Sequence, residues 1–254
     1  MNSLNVTALV NRVLEALEKA NLAINGEKSE VMQEEVTFLG HVVGHRRLAM
    51  EEGKVEAVRN WEAPGPERTK KDIQMFLGFC NYYRHFSNIY SEIAKPLTNL
   101  TGEVPWKWEK AENDAFEDLK KALTTAPLLQ QFNRQLPTRL ETDASNMAVA
   151  GILEQKHGDR WLPVEYYSST LTQTQRNWLI HDKELWAIFS SLDRWRPMLA
   201  GVPFNVYTDH NGLKYFDTKP RLNMRQATDN NNDRTTFQNE LSFQRVPEHK
   251  QHIF

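Results

Sequence analysis

At 254 residues, with a 40% hydrophobic fraction and seven tryptophans, the chain has material for one large domain or two ordinary ones. Basic and acidic side chains nearly cancel, 31 against 33, which argues against a protein that coats DNA while leaving room for local basic stripes. The lone Cys80 excludes a disulfide framework and a cysteine-based zinc site and fits a reducing, intracellular compartment; no run reaches the roughly 18 apolar residues of a membrane span, and the amphipathic start lacks the regions of a signal peptide.

In chain order, Val6, Leu9, Val10, Val13, Leu14 and Leu17 recur at three- and four-residue spacing, which predicts a helix closed by an Asn25-Gly26 turn. Val36, Phe38, Gly40 and Val42 alternate as in one strand; Gly44 to Arg47 reads as a turn, and Leu48 to Met50 as a returning strand. A short helix with Val55 and Val58 inward ends at the Pro64-Gly65-Pro66 break. Thr69 opens a longer helix, with Asp72 three residues on in a capping-box pattern and Phe76, Leu77 and Cys80 as its apolar stripe. Helical spacing returns at Ile93 and Leu97, then at Phe116, Leu119 and Leu123 until Pro127. The chain to about residue 130 is therefore expected to be mostly helical.

From Leu136 the pattern changes. Thr138 to Asp143, Val149 to Gln155 and Trp161 to Ser168 read as a three-stranded meander, followed by one long helix from Thr172 to Met198. Phe204 to Asp209 is a strand, Asn211 to Phe216 a short helix, the polar run TDNNNDRTT a loop, and Leu241 to Val246 a last strand. Strands and helices in this order predict a mixed α/β unit.

Two strands end alike, Glu141-Thr142-Asp143 and Tyr207-Thr208-Asp209, placing aspartates where α/β sheets hold their ligand chemistry. Between them, Glu184 shares the helix stripe of Ile188, Leu192 and Trp195, a core-facing position that is costly for a carboxylate unless it is paired or bound to metal. Three converging carboxylates suit Mg²⁺, and two such ions would clamp the attacking water and the leaving oxygen of a phosphodiester. The plainer alternatives are an Asx-turn at Asp143, a helix N-cap at Asp209 and an ion pair for Glu184.

The runs LETDAS, HDKELWAI and VYTDHNGLKYF resemble the three acidic motifs of the RNase H domain in gypsy-type long-terminal-repeat retrotransposon polyproteins. PVEYYSSTLTQTQRNWLIHDKE resembles the same domain's third strand and helix entry. FLGHVV resembles the primer-grip hairpin of the polymerase palm, and LGFCNYYRHF, EIAKPLTNLT and VPWKW resemble the thumb and the segment leading to RNase H. The likeness covers roughly residues 5 to 226. It implies an α+β or α/β architecture, a mostly helical thumb-like half followed by an RNase H-like mixed sheet with flanking helices. Residues 1–66 would be the end of the palm and the start of the thumb, 67–130 the thumb and connection-like region, and 131–254 the RNase H-like domain.

The implied activity is hydrolysis of the RNA strand of an RNA–DNA hybrid with Mg²⁺ or Mn²⁺, with Asp143, Glu184 and Asp209 as catalytic metal ligands. His181 is expected on the helix surface or beside the ligands rather than as a ligand, and His210 is expected to have a helix-start or packing role. In the thumb-like part, Gln74, Gly78 and Asn81 share a helix face on which a glycine admits a nucleic-acid backbone, the alternative being helix packing. Arg46, Arg47, Lys54, Lys70 and Lys71 would meet phosphates, or else form a solvated surface. The implied partners are the hybrid duplex and the rest of a polyprotein or another reverse transcriptase subunit. The implied setting is cytoplasm, nucleus or a virus-like particle.

Three departures stand against the pattern. No Asp-Asp pair occurs, so nucleotide addition is not expected. The fourth acid, typically in an Ala-Asp-Ala-Leu context, is missing; Glu248 and Asp229 lack the spacing to replace it, His249 and His252 read as tail residues, and the expectation is a truncated or mutated element. After RLNMRQ, the run ATDNNNDRTT stands where the family has an aromatic-rich helix. A degenerate chain that keeps the fold and binds nucleic acid or a polymerase partner is the rival expectation. An integrase-like relative is disfavoured, because its last acid would sit on a helix after the strands.

Overall fold

The computed structural model describes residues 3–64, 69–208 and 241–245; Gly65-Pro66 and the expected helix from Asn211 to Phe216 lie outside the described residues. The first periodic segment forms α1 (Ser3–Lys19), with Leu9, Val13 and Leu14 exposed. Asn25 then caps a short 3₁₀ turn, its side-chain oxygen accepting from the Glu27 and Lys28 N–H groups at 3.1 and 3.2 Å.

Where one strand was expected from Val36 to Val42, the chain makes two, β1 (Glu35–Phe38) and β2 (His41–Gly44), antiparallel with Phe38 opposite His41. Leu39 and Gly40 between them have φ of 50° and 77°, the paired positive values of a tight two-residue hairpin. The alternation misleads because Leu39 is held in this unusual conformation from far along the chain. The Tyr82 and Tyr83 hydroxyls donate to the Leu39 and Gly40 carbonyls at 2.8 and 3.1 Å. β3 (Arg47–Met50) follows, and an unforeseen strand, β4 (Leu129–Gln130), pairs with it to complete a sheet in the order β1-β2-β3-β4. The N-terminal half is thus helices packed with a four-stranded antiparallel sheet.

Those helices are α2 (Glu52–Arg59), α3 (Lys70–Tyr82), α4 (Tyr90–Ile93), α5 (Lys95–Leu100) and α6 (Lys110–Thr124). α3 starts as the sequence predicts: the Asp72 carboxylate accepts from the Thr69 N–H at 2.9 Å and its hydroxyl at 3.0 Å. Ile73, Phe76, Cys80, Leu97, Phe116, Leu119 and Leu123 form its core, with the Phe76 and Phe116 rings 4.3 Å apart. Each side chain of this size contributes about 1.5–3 kcal/mol on full burial. Burial also pushes the Cys80 thiol up to about 12, so it stays protonated at neutral pH.

The second sheet is built from β5 (Thr138–Ala144), β6 (Ala148–His157), β7 (Arg160–Thr170), β8 (Phe204–Thr208) and β9 (Leu241–Arg245), in the order β7-β6-β5-β8-β9. The predicted meander is antiparallel, β8 adds parallel to β5, and the last strand adds parallel to β8. The predicted long helix is two: α7 (Gln173–Arg176) and α8 (Ile180–Leu199). The break comes at Leu179, which is extended with ψ of 153°, while Trp178 packs edge-on against Trp186 at 6.1 Å. Apolar spacing runs through the break because Trp178 stays in contact with α8 from non-helical backbone. Leu185, Ile188, Leu192 and Trp195 of α8 pack on Leu140, Leu153 and Val206. The close approach needs Gly151, since a Cβ there would lie 2.5 Å from Ser191 Oγ.

The halves are joined at β7. Tyr166 packs against the helical core, and Arg84 and Ser91 hydrogen-bond to Ser168.

Candidate active site and nucleic-acid groove

Asp143 is the penultimate residue of β5, half-buried, with Oδ1 accepting from the Ala144 N–H at 2.8 Å. Glu184 comes from the start of α8 and is 2% exposed, and Ile188, Leu192 and Trp195 continue its stripe inward, so the core-facing position read from the spacing is what the structure has. α8 meets β5 at this end of the sheet. The Lys183 ammonium donates to Asn146 Oδ1 at 3.1 Å in the turn after β5, and Ala187 packs in one cluster with Ala144 and Val149. The pleat turns Asp143 to the face of its register partners Ala150 and Ser168, and Glu184 approaches the same strand end from the α8 side.

Asp209 and His210 lie outside the described residues. β8, which leads to them, runs parallel to β5 with Glu141 opposite Tyr207. Among the described residues no three His, Cys, Asp or Glu side chains form a group able to hold a metal. Of the three expected ligands, Asp143 and Glu184 lie among the described residues, and carboxylate oxygens are of the type that suits a hard divalent cation. His181 is half-buried, its Nε2 3.7 Å from Asp182 Oδ1.

Sequence reasoning missed a carboxylate that responds to the charge of Asp143. Glu92 of α4 has its pKa raised above the usual carboxylate range, first by burial and second by the charge of Asp143. Nothing local signals this, because α4 reaches the sheet through its packing on β7, far along the chain. Further down β5, Arg139 binds Glu154 at 2.7 Å and Glu141 at 3.3 Å and lies over the Trp161 ring, so these buried charges are internally matched.

On the helical half, Gln74, Gly78 and Asn81 are exposed along one face of α3, as their spacing predicts. They line a groove of about 410 Å³ with Arg84, Ser91, Lys95, Thr98, Thr101 and Thr170. A Cβ on Gly78 would meet nothing within 4 Å, so the α3 backbone is open there. Arg84 and Lys95 supply positive charge that the sequence reading overlooked; Arg84 continues the face three residues beyond Asn81, whereas Lys95 arrives from another helix. The expected basic residues are elsewhere. Arg47 pairs with Glu35, Lys70 donates to the Gly102 carbonyl at 2.5 Å, and Arg46, Arg47, Lys70 and Lys71 are not among the groove's lining residues.

Residues 108–206 match the model of the RNase H-like domain found in reverse transcriptase. The chain carries the RNase H-like domain of reverse transcriptases. Over 208 residues, 80% of the chain, it is 38% identical to the Transposon Tf2-3 and Tf2-7 polyproteins of Schizosaccharomyces pombe. It spans only 15% of the length of these gypsy-type retrotransposon relatives. Its fold is that of a foamy viral protease-reverse transcriptase solved with double-stranded DNA, with a TM-score of 0.78 and 23% identity over 96% of this chain and 43% of that one. A foamy viral protease-reverse transcriptase solved with RNA/DNA hybrid gives 0.77 and 23% over 99% of this chain and 35% of that one. The RNase H-like sheet preceded by a helical part is common to the chain and these neighbours.

Proposed function

We propose that the RNase H-like domain hydrolyses the RNA strand of RNA–DNA hybrids, with Asp143, Glu184 and Asp209 holding divalent metal, Mg²⁺ or Mn²⁺. The observation that carries this is the meeting of α8 and β5 at one strand end, where Lys183 is bonded to the turn after Asp143 and the next residue of α8, Glu184, is buried. The β5–β8 register supports the third ligand: Asp209 follows Tyr207 by the same two residues by which Asp143 follows Glu141, and Glu141 and Tyr207 are partners. Bound metal supplies an activated water and charge neutralisation at the leaving oxygen. The chain's carboxylates hold that charge in place, and Lys183 and Asn146 fix the helix that delivers Glu184.

The α3 groove, with Gln74, Gly78 and Asn81 on its floor and Arg84 and Lys95 beside them, is proposed to take the sugar-phosphate backbone of the duplex. Arg46, Arg47, Lys70 and Lys71 would add only diffuse attraction that weakens with salt. The foamy viral neighbour bound to RNA/DNA hybrid supports this substrate class, and the polyprotein relatives support an intracellular setting with the rest of a polyprotein as partner. No described helix is long and apolar enough to cross a membrane. With no Asp-Asp pair in its sequence, the chain by itself is expected to give no primer extension.

The run ATDNNNDRTT, standing where the family has an aromatic-rich helix, favours a second reading: a chain that keeps the fold and binds hybrid or a polymerase partner without cutting. One experiment separates them. Labelled hybrid is incubated with the purified chain in Mg²⁺ and in Mn²⁺, and binding and cutting are followed together. Cutting of the RNA strand alone supports the first reading, binding without cutting supports the second, and neither binding nor cutting sinks both.

A further inference from the structure

Ser168 of β7 links the groove to the sheet that carries Asp143. Among the described strands β7 is at the edge of its sheet, so its outward backbone groups have no partner strand there. The helical half fills that edge at Ser168, which is 2% exposed. Its Oγ accepts from the Ser91 N–H at 2.9 Å, and its carbonyl accepts from Ser91 Oγ at 2.8 Å and from the Arg84 guanidinium. Arg84 also donates to Ser91 Oγ at 3.3 Å, which closes the set. Arg84 and Ser91 at the same time line the groove. Ser168 is the register partner of Ala150, and Ala150 of Asp143, so the clamp and Asp143 lie in one row across three strands. Two strand spacings of roughly 4.8 Å separate them.

We propose that the Arg84–Ser91–Ser168 clamp is a positioning device: it fixes the offset between the nucleic-acid backbone seated in the α3 groove and the carboxylate end of β5, and so fixes where along the duplex the strand is presented for cutting. Ser168 is a positioning residue that touches no substrate. The inference rests on the groove and site reading above, so its test has one arm that needs neither binding nor cutting.

In that arm, Thr98→Cys on the groove and Met147→Cys in the turn after Asp143 carry spin labels, and their distance distribution is measured in the intact chain; buried Cys80 stays unlabelled. The otherwise unaltered chain should give one narrow distance. Ser168→Ala should broaden it, whereas Ser168→Thr, which keeps the hydroxyl, should not. Ser91→Ala, which leaves the sheet untouched, should broaden it too and serves if Ser168→Ala does not fold. In the second arm, Gln74→Cys is cross-linked through a disulfide to one thiol-bearing nucleotide of a hybrid, and cuts are mapped from that nucleotide. One dominant cut should give way to several when Ser168→Ala is added. Distances as narrow in the alanine variants as in the parent, or an unchanged cut map in an active chain, overturn the clamp. A parent chain that cuts nothing overturns the nuclease reading and leaves the distance arm to decide the clamp.

Discussion

The helical half and the RNase H-like half hold their polar working residues in opposite ways. On α3, Gln74, Gly78 and Asn81 lie in water, and the stripe behind them, Ile73, Phe76 and Cys80, is wholly apolar. In the second half, Arg139, Glu141, Asp182, Lys183 and Glu184 are all buried. A surface that only grips a backbone carries no desolvation cost, so its floor is free to be glycine and amide. A site that must concentrate charge needs carboxylates out of bulk water, and each is tolerated only with a matching cation or donor nearby. The first half therefore puts its stability in aromatic packing, whereas the second accepts buried charge.

The sharpest way to break that comparison is at Asp143. Asp143→Asn replaces a charged ligand by a neutral one of the same shape, and loss of about 4 kcal/mol of transition-state stabilisation means a ~10³-fold slower cut. Hybrid binding should persist, since the groove is untouched. Cleavage at the parent rate by this variant would remove Asp143 from the chemistry.

Next come the two cores. Phe76→Ala and Trp195→Ala each empty a fully buried aromatic site and should each cost about 3–5 kcal/mol. Because Tyr166 and Ser168 of β7 are tied to the helical core, one shared unfolding transition is expected to shift in both variants. Two separate calorimetric transitions, each moved by only one of the substitutions, would show that the halves unfold independently.

A smaller effect distinguishes gripping from packing at Gly78. Ala has the better helix propensity and meets nothing at that Cβ, so Gly78→Ala should raise stability by about 0.5–1 kcal/mol. The same methyl projects into the groove and should weaken hybrid binding. Affinity left unchanged would mean that the duplex does not approach α3 there.

The smallest expected change is acid sensitivity at His85. Burial, then the neighbouring His41 and Arg194, lower its pKa from 6.5 to about 4. Its contribution is intact above pH ~6.5 and is lost as pH falls towards ~4, because the unfolded chain takes up the proton first. The urea midpoint of the parent should therefore fall across that window, and more steeply than that of His85→Phe, in which this titration is gone. Parallel profiles would place the acid sensitivity in other groups.

Sequence alone carried the elements whose evidence is local. The helical stripes of α3, α6 and α8, the meander β5–β7, the capping box at Thr69 and the core-facing position of Glu184 all follow from periodicities that a few adjacent residues set. The order of the acidic motifs pointed to the RNase H-like domain, which residues 108–206 match. What only the tertiary structure decided depends on residues far apart in the chain. The hairpin at Leu39-Gly40 is held by Tyr82 and Tyr83, and β4 exists because Leu48 offers Leu129 a partner. Lys95 joins the α3 groove from another helix, Glu92 comes to feel Asp143, and Ser168 closes on Arg84 and Ser91. The physical reason is the same in each case: alternation and helical spacing record which way a side chain faces, and only the packed chain determines what it faces.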